Sequence, residues 1–188
     1  MPHDTFHALP ALASSPILTV PIAPYCHPFI VRAAPISVEH GLFQIHPLGH
    51  KAPARAWRPI IAIRDGFPSW TDRERAIDGD IIDIAAISLD GSKVLATLIG
   101  HAEVIGSPQS ETPDTIYLRE TPAAWLRGLD GAVLCQSPII SARFLRGFQT
   151  IVTDTVAYGE AVQAALRRDY RGPSIAVRKP VSPMRRAA

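Results

Sequence analysis

TIYLRETPAAWLRGLDGAVLC, residues 115 to 135, is the stretch on which the fold turns. TIYL at 115–118 and AVLC at 132–135 are short apolar runs of strand-forming residues. Between them Thr121 stands where a side-chain oxygen caps a helix and Pro122 fills the first helical position, where its missing N–H is no loss. Gly128 follows at the end. Strand, helix and strand in so short a span predict a parallel pair joined by a crossover.

Working downstream, the rhythm repeats. Ser137-Pro138 predicts a weaker helix to about Arg146, TIVT at 150–153 is the next strand, and SIAVR at 174–178 is the last. Asp154 or Thr155 caps the best helix, which runs to about Arg168 with Val156, Val162, Ala165 and Leu166 as its apolar stripe. This order predicts a small, mostly parallel sheet with right-handed crossovers.

Upstream the pattern is β-rich. IIDIAAISL, Asp90-Gly91 and KVLATLIGHAEVI predict a hairpin with long arms over 80–105, turned at Asp90-Gly91 and bent at Gly100. Earlier strands are expected at FIVRA 29–33, LFQIH 42–46 and PIIAIR 59–64. The chain therefore reads as α+β, with a β-rich N-terminal half and a short βαβαβαβ, mostly parallel C-terminal half. Residues 29–178 are expected to form one domain, β-rich over 29–106 and α/β over 115–178. Six prolines between Pro2 and Pro28 predict an extended arm over 1–28. Its Ile17, Leu18, Val20 and Ile22 are expected to dock on the body or on a second copy of the chain. Residues 179–188 are a basic tail, predicted to be disordered.

With 188 residues, 47% of them apolar, the chain has enough material for a packed core. No run approaches the ~20 apolar residues of a membrane span, so no membrane association is expected. The N-terminus lacks the basic region of an export signal, and a cytoplasmic protein is the default. A net charge of +2 argues for no particular partner. Arginine outnumbers lysine sixteen to three, but the arginines are scattered. Cys26 and Cys135 are too far apart in sequence for a CxxC metal pair, and two reduced thiols are expected.

The best-motivated site lies beyond the carboxyl ends of the parallel strands, where open α/β sheets bind ligands. Arg119, Glu120 and Thr121 follow the first strand, Cys135, Gln136 and Ser137 the second, and Asp154 and Thr155 the third. Thr121, Ser137 and Asp154 have the alternative reading of plain helix caps. No GxGxxG or GxxxxGK[ST] stands at these turns, which disfavours a dinucleotide or triphosphate cradle. Cys26, His27, His40, His46 and His50 are rich in zinc-ligand types but lack a metal-site spacing. No cofactor and no metal are expected.

Asp72, Glu74, Asp78, Asp80 and Asp83 form an acidic run that supplies the alternative reading, a metal-dependent enzyme acting on nucleic acid. Arg73 and Arg75 interleave with it, as in a self-compensated surface loop. Cys135 and Ser137 have no assignable base, and no GxSxG elbow is present. At the carboxyl end Arg167, Arg168, Arg171, Arg178, Lys179, Arg185 and Arg186 face only Asp169, a local charge of +6 over residues 167–188. This end is the expected contact for an acidic protein or a nucleic-acid backbone.

The segments 80–106, 117–135 and 151–168 resemble a group of bacterial proteins of unassigned activity, found in alphaproteobacterial genomes and prophage-like regions. The most recognisable piece is Arg-x-Thr-Pro-x-x-Trp-Leu, Arg119 to Leu126. The resemblance implies an accessory role in a bacterial or phage setting. Together these readings predict a non-enzymatic binding or accessory module with a protein or nucleic-acid partner.

Overall fold

A computed structural model describes residues 31–64, 81–106, 114–128, 130–168 and 174–177. The first half is a closed barrel of β1 (Val31–Glu39), β2 (Leu42–Ile45), β3 (Trp57–Arg64), β4 (Ile81–Ile87) and β5 (Val94–Thr97). Around it the strands run in the order β1-β2-β5-β4-β3, and β1 closes the ring on β3. All neighbours are antiparallel except β2 and β5, which meet in parallel at Leu42 and Thr97.

The second half carries β6 (Val104–Gly106), β7 (Thr115–Leu118), α1 (Pro122–Gly128), β8 (Ala132–Leu134), α2 (Ala142–Leu145), β9 (Thr150–Thr153), α3 (Val156–Arg167) and β10 (Ser174–Val177). Its sheet has the order β10-β9-β7-β8-β6. The first four strands are mutually parallel, and β6 pairs antiparallel with β8. The protein is thus α+β, with a strand-rich first half and a mixed sheet in the second.

Packing explains why β3 and β4 are apolar almost throughout, as strands covered on both faces are, whereas β2 and the end of β1 are exposed outside the barrel. Ala34, Ile36, Phe43, Ile60, Ile84, Ala86 and Ala96 come from all five strands and fill one cluster, the barrel interior. By the period-two rule their neighbours Ala33, Ile61, Ala85 and Ile87 point outward. There they join Ile105, Trp125, Leu126, Val133 and Cys135 in a core shared with the second sheet. The other face of that sheet packs Ile116, Leu118, Leu134 and Ile151 against Leu145 of α2 and Val162 and Leu166 of α3. So α1 lies on the barrel side of the sheet, and α2 and α3 lie on the opposite side.

The long second arm expected for the hairpin is divided. β5 stops at Thr97, and β6 belongs to the other sheet. The cause is Asp83, a carboxylate with no exposed surface in the middle of β4. Its Oδ1 accepts the N–H groups of Ile84, Leu98 and Ile99 at 2.8, 3.1 and 2.9 Å. Its Oδ2 accepts those of Gly100, His101 and Ala102 at 3.0, 2.9 and 3.2 Å. Leu98 shares its amide between Asp83 and the Ile84 carbonyl, at 2.8 Å to the latter, and the next four amides go to the carboxylate alone, so the ladder ends and the chain leaves the barrel here. Gly100 takes φ +84°, and a Cβ there would press on Leu42 at 3.1 Å.

Two helix details also differ from expectation. Val156 is 61% exposed, and the inward face of α3 is made by Gly159, Val162, Ala165 and Leu166. The segment after Ser137 is a turn, in which the Ser137 carbonyl accepts the amides of Ile140 and Ser141, and the helix itself covers only Ala142–Leu145. Among the described residues no helix is long and apolar enough to cross a membrane. The proline-rich arm, most of the acidic run and the basic tail lie outside the described residues.

Candidate functional site at the strand ends

Counting from β7, the parallel strands lie in the order second, first, third, fourth, so the direction of winding reverses between β7 and β9. The helices leave to opposite faces at that point, where open α/β sheets place ligands, and the hollow between the two strand ends is small, about 10 Å³, lined by Arg119, Thr153 and Asp154 among others. β7 delivers Arg119, Glu120 and Thr121 to its rim, and β9 delivers Asp154 and Thr155.

Three of these residues form one bonded unit. The Asp154 carboxylate accepts the Glu120 amide, at 3.2 Å to Oδ1 and 3.3 Å to Oδ2. The Thr155 hydroxyl donates to Glu120 Oε2 at 3.0 Å and accepts the Tyr158 amide at 3.2 Å, capping α3. Thr153 Oγ1 donates to the Thr155 carbonyl at 3.0 Å, which fixes the chain as it leaves β9. The Asp154 carboxylate therefore lies against the Glu120 amide, and the Glu120 carboxylate against the Thr155 hydroxyl, at the amino end of a twelve-residue helix, where backbone N–H groups favour negative charge.

The other predicted residues have separate places. Arg119 pairs with the Asp130 carboxylate. Thr121 caps α1 by accepting the Ala124 amide at 3.1 Å. Arg167 and Arg168 are exposed at the carboxyl end of α3, whereas Arg171, Arg178, Lys179, Arg185 and Arg186 fall outside the described residues. His46 accepts the Leu48 amide through its own Nδ1, and His50 tilts against Trp57 with ring centroids 6.2 Å apart. Cys26, His27, Asp72, Glu74, Asp78 and Asp80 lie outside the described residues. Asp83 is buried under the amides already given, which removes it from any shared cation site with them. Among the described residues, no three His, Cys, Asp or Glu side chains converge as a metal-binding group.

Ser137 lines a cleft of about 210 Å³ with Glu120, Cys135, Gln136 and Tyr158, closed on the far side by Ser92 and Lys93 of the barrel. Burial raises the Tyr158 phenol well above its ordinary value, and the charges of Asp154 and Glu120 add to this, so Tyr158 enters the site as a protonated donor. Burial, reinforced by Asp83 and Glu103, pushes the Cys135 thiol up to about 12. A thiol so protonated is no nucleophile at neutral pH. Lys93 and Tyr158 were not singled out by the sequence. Tyr158 carries a faint signal there, one turn inside a capped helix, and Lys93 carries none, because its place depends on how the barrel docks.

Fold and site together define a strand-rich barrel packed on a mixed sheet, with an acid pair at the point where the winding reverses. Comparison with family models, with curated proteins and with solved structures finds no match to this chain.

Proposed function

We propose that the chain is a binding module for a phosphate-bearing ligand of the nucleotide or nucleic-acid type, held through a divalent cation at Glu120 and Asp154. The observation that carries this reading is the link across β7 and β9, in which the Glu120 amide donates to the Asp154 carboxylate and the Glu120 carboxylate accepts the Thr155 hydroxyl. Magnesium takes one or two protein carboxylates and completes its octahedron with waters and ligand phosphate oxygens. Two carboxylates alone hold such a cation weakly, so cation and phosphate are expected to bind together. The positions after Asp154 are Thr155 and Val156, which add no further acid, and this favours binding over turnover. The cations of the carboxyl end supply a sequence-independent attraction for the same ligand class. An accessory role in a bacterial or phage nucleic-acid system fits this chemistry.

The alternative, an enzyme using the acidic run 72–83, is weakened by the burial of Asp83. Manganese titration followed by electron paramagnetic resonance tests the proposal, with and without a short single-stranded oligonucleotide or ATP. Manganese uptake should appear only with a phosphate ligand and should be lost in Glu120→Gln and Asp154→Asn. Equal uptake by wild type and both variants would overturn it.

A further inference from the structure

The cleft over the strand ends has a wall that the sheet does not make. It is the β4–β5 turn of the barrel, which brings Lys93 to the cleft that Glu120 enters from the sheet. Both residues are held through their backbones. The Ser88 amide donates to the Lys93 carbonyl at 2.9 Å, and the Lys93 amide donates to Ser88 Oγ at 3.1 Å. The Gly91 carbonyl accepts the Ala123 amide at 3.0 Å, which ties the turn to the first turn of α1. On the sheet side the Glu120 amide is bound by Asp154, and the Thr155 hydroxyl engages one of the two Glu120 carboxylate oxygens. Lys93 and Glu120 thus line one cleft with opposite charges, yet among the described residues neither forms an ion pair with the other or with any other side chain.

One cation and one carboxylate held in the same cleft without closing on each other are complementary to a ligand that carries both charges. We infer that the cleft binds a small aminocarboxylate of the free amino-acid type, with its carboxylate against the Lys93 ammonium and its ammonium against the Glu120 carboxylate. Each contact is a charge-assisted hydrogen bond, and the pair leaves no charge of the ligand or the cleft uncompensated. Val94, Pro122 and Pro138 make an apolar stretch of the lining, which suits an aliphatic side chain, and Ser137 and Tyr158 add hydroxyls. The cleft, at about 210 Å³, is smaller than the roughly 300–1,000 Å³ of sites that enclose a drug-sized ligand, as a molecule of this class requires. The inference goes beyond the cation reading, since it needs no metal and Asp154 lies outside the lining. Glu120 alone is common to the two, so their ligands compete there.

The test is an amide chemical-shift titration of the full chain, read at residues 92–94, 120, 136 and 137. Three probes are used: L-leucine, isocaproate, which lacks the ammonium, and isoamylamine, which lacks the carboxylate. Leucine should bind at least about tenfold more tightly than either analogue, as expected for one charged hydrogen bond lost, and a chelator should leave its affinity unaltered. Lys93→Gln should weaken leucine about tenfold without weakening isoamylamine, while Lys93→Arg retains most of the affinity. Glu120→Gln should weaken leucine to the same extent without weakening isocaproate. An analogue that binds wild type as tightly as leucine overturns the inference, as does a variant that loses all three probes equally. A titration in which leucine moves none of these amides overturns it as well. Failure of the manganese titration, by contrast, bears on the acid-pair reading alone.

Discussion

The Thr155 hydroxyl donates to Glu120 Oε2 at 3.0 Å across the gap between β7 and β9, while its lone pair caps α3 at the Tyr158 amide. One small side chain thus starts a helix and orients an acid 35 positions earlier in the chain. A residue that reads as a cap in the sequence becomes part of the site because β9 lies next to β7 rather than next to β8.

Thr155→Val removes both bonds while keeping the shape. It should lower stability by about 1 kcal/mol through the lost cap, read as a shift of the urea midpoint. It should also weaken phosphate-dependent manganese binding, because Glu120 loses its tether. Thr155→Ser should restore both, and a Thr155→Val protein with unaltered manganese affinity would show that the tether does not matter.

Asp83→Asn replaces an acceptor that serves six amides. One oxygen becomes an NH2 group facing N–H donors, and at least two of those amides lose their partner around a fully buried side chain. At about 1–3 kcal/mol for each buried donor left unpaired, a loss of at least about 2 kcal/mol is expected in denaturant titration. Amide exchange should rise first over residues 98–102, which are the ones released. If exchange there is unchanged, the carboxylate is not what holds the loop.

Local chemistry made part of this fold legible. Thr121, Pro122 and Gly128 mark α1 within one residue because cap, first turn and stop act over a few bonds. The same pattern of alternating strands and caps puts Glu120, Asp154 and Thr155 beyond adjacent strand ends, where hydrogen bonds join them. Closure of the barrel was not legible, since β2 and β5 are joined by a single parallel pair, Leu42 and Thr97, whose residues carry no mark of it. Asp83 carries a signal of a different kind. A lone charge inside IIDIAAI, a strand covered on both faces, needs a buried partner more than it offers a metal ligand. Arg119, which resembled a ligand contact, pairs with Asp130 because the chain returns beside it after α1.

Asp90 should titrate far below other exposed carboxylates. Hydrogen bonds from Ser88 and Ser92 hold its carboxyl down to about 2, against an ordinary 3.8. A folded-state value below the unfolded one contributes stability that is present above about 3.8 and is lost as the pH falls towards 2. Carboxyl carbon shifts in nuclear magnetic resonance should give a midpoint near 2, and Asp90→Asn should flatten this part of the acid limb. A midpoint near the ordinary value would mean that the turn carrying Lys93 is not held by this carboxylate.

Cys135 governs the alkaline side. Its thiol, pushed up by burial to about 12 from an ordinary 9.0, stays protonated in the folded protein where the unfolded chain ionises. Between those values the unfolded state binds fewer protons than the folded one, so unfolding becomes easier as the pH rises. The contribution is complete below about 9 and declines progressively up to about 12. Tyr158, also raised by burial, adds a loss of the same sign from about 10 upward, so the interval between 9 and 10 isolates the cysteine. Cys135→Ala should flatten the decline of the urea midpoint there, even though the variant starts from a lower stability through its lost packing. In the folded protein Cys135, resolved from Cys26 by peptide mapping, should also react slowly with a thiol reagent at pH 8, and unfolding in urea should release fast modification at this position. Rapid labelling of Cys135 in the folded state, together with an unchanged alkaline slope in Cys135→Ala, would show that the thiol is neither buried nor raised.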